Sequence, residues 1–346
     1  MITFIVIVGI IFLILAHECG HFFVARKFKV TVEEFGIGYP PRIWSKTKDG
    51  VVWSINALPF GGFVKILGED GGNDDPNSFS KQKIWKRISI LSAGVLMNIL
   101  VGWIFFSGVY MTGSPERAIV MDVKQNTPAA IVGIEKGDIV LALESSDVGI
   151  VKKPNADEFI SFTGKAVGKE MVIEVSRQGN NKMFTVIPRI NPPEGEGALG
   201  VSITNAGFPR QSFFSSILSG FTTTISVIGA IVVGLFSFFA HIFSPNGFDA
   251  VAGPIGVVKM ASEMGTLGLS YVFQIIGLIS INLAILNLIP FPALDGGRIL
   301  FLIIEKFRGK PAPEKIEQWV NMAGFFILIA LMIAVTFKDL SRLFSA

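Results

Sequence analysis

The chain reads as a polytopic α-helical membrane protein with about four transmembrane helices, a β-ribbon between the first two, and one inserted αβ domain after the second. Three observations predict this. Half of the residues are hydrophobic, 16% are charged and the mean hydropathy is +0.57, against roughly 25% charged residues in soluble domains. The apolar runs Ile2–Val24, Ile88–Met111, Leu267–Ile289 and Met322–Phe337 are each near the roughly 20 residues that a tilted helix needs to cross a bilayer. The stretch Tyr110–Gly207 breaks the pattern: it is polar, contains Gly and Pro, and alternates apolar positions, as a water-exposed domain does.

Taken in order, the first run carries no charged side chain from Ile2 to Ala16. It has no basic residues before it and no small-x-small cleavage site after it, so a retained helix is expected rather than a signal peptide. Val51–Ile66 is β-prone but broken by Pro59 and Gly61-Gly62, which predicts a hairpin or bent ribbon over 51–67. Gly68–Pro76 is an acidic, Gly-rich loop, and Ser80–Arg87 is a basic segment suited to the membrane surface. In the polar domain, strands are expected at Ala118–Val123 and Ile139–Leu143, a short helix at Ala156–Phe162, and a hairpin of Met171–Ser176 with Lys182–Pro188 around Gly179-Asn180-Asn181. Phe213–Phe243 is apolar enough to span, but a fifth span would put the two basic connections on opposite sides. A helix on the outer surface or packed on the other spans is therefore expected. These readings divide the chain into 1–111, 112–207, 208–266 and 267–346.

Charge orients the chain. Arg26, Lys27, Lys29, Lys83, Lys86 and Arg87 lie between the first two spans, and Arg298, Lys306, Arg308, Lys310 and Lys315 between the last two. Cytoplasmic loops collect Lys and Arg, so both connections are expected in the cytoplasm, with both termini and the polar domain outside. A net charge of +3 carries no suggestion of a nucleic-acid partner. The single cysteine, Cys19, excludes an internal disulfide, and it falls on the wrong face of its helix to join the histidines described next.

The chemistry is concentrated in His17-Glu18-Cys19-Gly20-His21, at the end of an otherwise apolar span. Ionisable groups at such depth are expensive and mark function. His17 and His21 are one turn apart on one helix face and can share a metal ion, while Glu18 beside them can serve as a general base. The spacing points to a zinc peptidase whose site lies in the membrane. Such sites usually have three protein ligands, and Asp295 is the candidate for the third. It follows Pro290-Phe291-Pro292, which breaks a span, is flanked by Gly296-Gly297, and falls on the same side as the histidines by the charge rule. Blander roles are open to each: a buried proton relay in a metal-dependent transporter for the His–Glu set, a helix cap for Asp295, an interhelical hydrogen bond for Asn287.

The whole pattern resembles the site-2 protease family of intramembrane zinc metalloproteases, most of all its bacterial regulator-of-sigma-E branch. The matching residues are His17-Glu18-x-x-His21, Gly61-Gly62-Phe63-Val64-Lys65, Gly253-Pro254-Ile255-Gly256, and Asn287 through Leu294-Asp295-Gly296. The resemblance implies Zn²⁺ held by His17, His21 and Asp295, and Glu18 as the general base. It also implies that Asn287 and the re-entrant β loop at Gly62, Phe63 and Val64 hold an unwound substrate. It implies a multi-pass protein of the bacterial inner membrane that cuts a single-span membrane protein, an anti-sigma factor or a remnant signal peptide, in regulated intramembrane proteolysis. The polar domain would be PDZ-like, one copy rather than two, with a groove between the Ala118–Val123 strand and the Ala156–Phe162 helix for a peptide C-terminus. A membrane PDZ scaffold with an inactive metal site is the competing reading from another class.

Overall fold

The computed structural model describes residues 2–69, 71, 74–177, 180–193, 196–241, 253, 256–258, 261 and 268–344. Pro254 and Ile255 of the Gly-Pro-Ile-Gly segment, Gly179 of the expected hairpin turn, Leu267 at the start of the third run, and Ile242 and Phe243 fall outside the described residues. The chain forms two compact units, one of residues 1–108, 213–265 and 271–346, the other of 109–212 with 266–270.

The first unit is helical apart from one ribbon. Its helices are α1 (Ile2–Lys27), α2 (Ile84–Thr112), which runs on into the second unit, α5 (Phe213–His241), α6 (Leu269–Leu288), α7 (Asp295–Arg308) and α8 (Glu314–Phe344). Among the described residues five helices, α1, α2, α5, α6 and α8, are long and apolar enough to cross a membrane. The fifth beyond the four expected is α5, the segment expected on the outer surface or packed on the other spans. α1 and α2 cross at contact distance, because Gly20 leaves room for the α2 backbone: a Cβ there would stand 2.4 Å from the Ala93 carbonyl oxygen. Leu13, Val101, Val272 and Ile276 pack α1, α2 and α6 together.

The ribbon is longer than the sequence suggested. Val51–Ile66 (β2) pairs with Val32–Lys48 (β1), a stretch left unassigned above. The signal was present: Asp49 and Gly50 join the strands with φ of 52° and 77°, the left-handed pair that a two-residue hairpin turn requires. β1 then bends at Gly38 (φ 77°), so that residues 34–37 pair with both 52–55 and 62–65. The result is four short strands side by side, with 62–66 at one edge and 42–48 at the other. Asn56, buried in the fold, donates from Nδ2 to the Gly38 carbonyl at 3.1 Å and holds the bend. At its root, Val32, Phe35, Val51 and Ile66 share a core with Ala25, Ile90, Leu91 and Leu302, which fixes the ribbon to α1, α2 and α7.

The second unit is a six-stranded sheet with two short helices. Its strands are β3 (Ser114–Val123), β4 (Ile139–Ser145), β5 (Gly149–Lys152), β6 (Met171–Arg177), β7 (Asn180–Val186) and β8 (Val201–Phe208), in the order β7-β6-β4-β3-β8, with β5 paired to β4. The helices are α3 (Pro128–Val132), started by the Thr127 hydroxyl, and α4 (Ala156–Lys165), whose Asn155 and Glu158 form a reciprocal capping box. Ala118, Val140, Leu143, Phe159, Phe162 and Ile173 fill its core. Arg177 reaches into this unit with paired hydrogen bonds to the buried Asp138 carboxylate, both 2.7 Å.

Candidate active site

His17 and His21 are buried one turn apart on α1, with ring centroids 4.7 Å apart and planes at 83°. Their Nε2 atoms are 3.1 Å apart. His21 donates from Nδ1 to the Ile90 carbonyl of α2 at 2.9 Å, which leaves its Nε2 lone pair facing inward. Where the rings lie against α2, the residue beneath them is Gly94, and a Cβ there would come within 2.4 Å of His21 Nε2 and 2.6 Å of His17 Cε1. Only glycine leaves that surface flat.

Asp295 arrives from the far end of the chain through the broken helix. α6 stops at Leu288, the segment Ile289–Leu294 turns back, and α7 starts at Asp295. The two glycines after the aspartate make this reversal compact. A Cβ on Gly296 would stand 2.3 Å from the Leu288 and Ile289 carbonyl oxygens, and one on Gly297 would stand 2.2 Å from that of Phe291. They permit the close packing of this reversal. Pro292 is in turn pressed by α8 at Gly324, and the Ala293 N–H donates to Asn321 Oδ1 at 3.2 Å. Arg87 of α2 grips Glu305 of α7 through two 2.9 Å hydrogen bonds. The Asp295 side chain caps no helix: the N-cap of α7 is Leu294, with no side-chain cap bond.

The carboxylate instead turns to the histidines. Asp295 Oδ2 lies 3.0 Å from His17 Nε2 and 3.3 Å from His21 Nε2, and this buried oxygen accepts no well-aligned hydrogen bond. Two imidazole nitrogens and an orphaned carboxylate oxygen thus turn inward on one point. Ligands of a tetrahedral zinc ion stand ~3.4 Å apart, so the donor set and its spacing fit such an ion.

Glu18 is partly buried and lines a cavity of about 600 Å³ with His21, Asp295, Tyr39 and Arg298. The ribbon forms another wall through Gly62, Phe63 and Val64. Gly62 is buried, and a Cβ on it would meet Leu15 of α1 at 2.9 Å and Glu18 Cγ at 3.7 Å. The absence of a side chain there lets the ribbon edge reach the acid. Phe63 stacks on Tyr39, with centroids 6.3 Å apart and planes at 24°. The 62–66 strand is at an edge of the ribbon, and no further strand pairs with it among the described residues. Asn287, in the last turn of α6, places Nδ2 3.4 Å from His17 Nε2. Arg298, one turn after Asp295, is ion-paired with Glu69 beyond the ribbon.

The expected metal, general-base and substrate-holding residues thus border one place, whereas Gly253 and Gly256 of the Gly-Pro-Ile-Gly segment donate to the Asp339 carboxylate of α8. The sequence reading missed Gly94 and Asn98 of α2 and the Ile90 carbonyl. Asn98 was legible, being a polar side chain inside an apolar span; a backbone carbonyl leaves no such mark. In the second unit the strand expected to border a peptide groove has no free edge. β3 is paired on both sides, by β4 and β8, so its edges are unavailable. A cavity of about 330 Å³ lies instead beside the edge strand β8, lined by Phe159, Ile160 and Thr163 of α4 and by Leu199, Val201 and Ile203. Sheet order decided this, and β8 was not foreseen.

Comparison with known proteins agrees with this chemistry. A Clostridium perfringens protein named provisionally as a zinc metalloprotease is 33% identical over 328 residues, covering 95% of each chain. The regulator of sigma-W protease RasP of Bacillus subtilis is 26% identical, over 99% of each chain. The zinc metalloprotease RasP of Shouchella clausii is 26% identical over 96% of this chain and 97% of its own. The profile of Peptidase family M50 matches residues 5–331. With a catalytic-type metal donor set built from both ends of that span, the chain belongs to Peptidase family M50.

Proposed function

We propose that this chain, a multi-pass membrane zinc endopeptidase of the site-2 type, cuts single-span membrane proteins at the centre formed by His17, Glu18, His21 and Asp295. The single observation that carries the reading is the convergence of His17 Nε2, His21 Nε2 and Asp295 Oδ2 to 3.0–3.3 Å beside a cavity that holds a free carboxylic side chain, Glu18. His17, His21 and Asp295 hold the zinc, which when bound supplies Lewis acidity and lowers the pKa of water toward about 7. Glu18 takes the proton of the attacking water and passes it to the leaving amine nitrogen. The Asn287 amide, close to His17, holds the substrate backbone at the scissile carbonyl.

A helical substrate hides its carbonyls in hydrogen bonds and must be drawn out before attack. The open edge at Gly62, Phe63 and Val64, in the wall of the same cavity, offers backbone partners to such a segment by strand addition. Substrates are anti-sigma factors already trimmed outside the cell, or remnant signal peptides, in regulated intramembrane proteolysis; the Bacillus subtilis relative's name, a regulator of sigma-W, supports the first. On the four-span topology, the basic connections support a site toward the cytoplasm, with both termini and the second unit outside. That unit is PDZ-like, and the groove beside β8 takes an apolar peptide C-terminus.

The test is zinc content against cleavage of a single-span reporter, in detergent-purified protein and in cells. Glu18→Gln should lose at least ~100-fold in cleavage and keep its zinc, whereas Asp295→Ala should lose both. Zinc retained by Asp295→Ala removes the third ligand from the reading. Metal flux through vesicles that survives Glu18→Gln indicates transport, and an unchanged wild-type level of cleavage in Glu18→Gln removes the general base.

A further inference from the structure

We infer that Asn98 is a positioning residue for the metal centre: its side-chain amide oxygen accepts the Nδ1–H of His17 and so fixes which nitrogen of that ring faces the ion. The inference rests on the zinc reading above and on four observations.

The first is which way His17 faces. Its Nε2 is the atom near Asp295 Oδ2, His21 Nε2 and Asn287 Nδ2, at 3.0, 3.1 and 3.4 Å. To bind a cation there, Nε2 must present its lone pair, and a neutral imidazole then carries its one proton on Nδ1. The second is what Nδ1 meets. Among the described residues, the side chain paired with it is the amide of Asn98, 3.4 Å away. An N–H needs an acceptor, and of the two ends of an amide only the oxygen is one.

The third observation is the state of that oxygen. Asn98 has no solvent exposure, and with its NH₂ toward the histidine its Oδ1 has no hydrogen-bond partner. A buried orphan acceptor costs about 1–3 kcal/mol. A half-turn of the amide points Oδ1 at His17, which gives the ring N–H an acceptor and the amide oxygen a donor. The O and N ends occupy nearly equivalent positions, so hydrogen bonding decides between them.

The fourth is the symmetry of the arrangement on α2. His21 is held by the same device, donating from Nδ1 to the Ile90 carbonyl at 2.9 Å. Ile90, Gly94 and Asn98 are spaced one turn apart on one face. This face presents an acceptor, a bare surface against which both rings lie, and a second acceptor. Asn98 is itself fixed in height, because its carbonyl accepts from Ser280 Oγ of α6 at 2.7 Å. Partners of this kind orient a ligating ring, and their loss typically weakens metal binding ~10–100-fold.

The experiment compares Asn98→Leu, close in size but without an acceptor, with Asn98→Asp, which keeps an acceptor at the same reach, in the full-length detergent-purified protein. Zinc affinity is read by chelator competition, and packing by the thermal midpoint with chelator present. The expected result is zinc binding weakened ~10–100-fold in Asn98→Leu, restored to within about 3-fold in Asn98→Asp, with chelator-treated midpoints like wild type in both. Wild-type zinc affinity in Asn98→Leu overturns the inference. So does an Asn98→Asp variant as weak as Asn98→Leu, or a fall in both chelator-treated midpoints, since either makes Asn98 a packing residue. His17→Ala separates the two levels. If it holds zinc like wild type, the ligand assignment itself fails and takes this inference with it; if it loses zinc while Asn98→Leu does not, only the role of Asn98 fails.

Discussion

Among the described residues, each unit has a strand edge that borders a cavity, β2 in the first and β8 in the second, and the surroundings of these two edges differ. The edge at Gly62–Val64 of β2 faces Glu18, His21, Asp295 and Arg298, all ionisable. The edge of β8 runs beside Phe159, Ile160 and Leu199, all apolar, with Thr163 the one hydroxyl among the side chains of that lining. Both offer an incoming chain the same ladder of N–H and C=O groups. The backbone therefore sets only the direction of a bound segment, and the neighbouring side chains decide what becomes of it. On the proposed reading, the first edge delivers a peptide bond to reactive groups, and the second selects an apolar side chain without changing it.

The support behind the two edges differs as well. The second unit rests on an ordinary apolar core of Ala118, Val140, Leu143, Phe162 and Ile173. The site beside the first edge rests on backbones brought within touching distance at Gly20, Gly296 and Gly297, and on the His17 and His21 rings lying against Gly94. An ordinary core yields gradually to substitution, whereas a glycine contact tolerates no added atom. Gly94→Ala should thus have the largest effect: cleavage down ~100-fold, as expected for a displacement of about 1 Å at a reacting centre, and zinc content reduced. Gly229→Ala in α5, where a Cβ meets nothing within 4 Å, should match wild type in both. Normal zinc content in Gly94→Ala would break the distinction between the two kinds of support.

The next effect is at the first edge. Phe63→Pro removes one backbone donor, and cleavage of a helical substrate should slow about 5- to 10-fold, one hydrogen bond's worth, with zinc unchanged. Zinc loss would mean that the ribbon only props up the site. At the second edge, Ile203→Asp should weaken binding of a fluorescent peptide ending in an apolar residue about 5-fold and leave zinc content alone. Equal binding of the amidated and free-acid peptides by wild type would remove the C-terminal reading of that groove.

The smallest effect concerns charge in the second unit. The hydrogen bond from Arg189 at 2.8 Å, with Lys124 at 3.4 Å, holds the Glu196 carboxyl below its usual pKa. A carboxylate with a depressed folded pKa stabilises the fold above its unfolded value and loses that contribution as pH falls through the folded one. Thermal midpoints recorded between pH 7 and 3 should accordingly drop slightly more for wild type than for Glu196→Gln. Parallel curves would assign the pair no role.

Much of the site was written in the chain. His17, Glu18 and His21 are legible because helical spacing alone puts two imidazoles on one face, and Asp295 because two prolines and two glycines surround a carboxylate in an apolar stretch. The 32–48 strand was missed although Asp49-Gly50 announced the hairpin, since its neighbours Glu33, Glu34, Arg42 and Lys46 look like loop material. Four short strands formed because one bend at Gly38 let residues 34–37 take partners on both sides, and no local pattern encodes a second partner.

Local order along the chain determined the apolar helices, the polar insert and the residue types able to bind a metal, because helical periodicity and the expense of charge in lipid act over a few residues at a time. Tertiary structure alone decided that Asp295 meets His17 and His21 rather than capping α7, that Gly94 and Asn98 stand behind the rings, and that β8 rather than β3 borders the groove. Those outcomes depend on which backbones can approach within van der Waals contact, and that is settled only when distant segments share the same space.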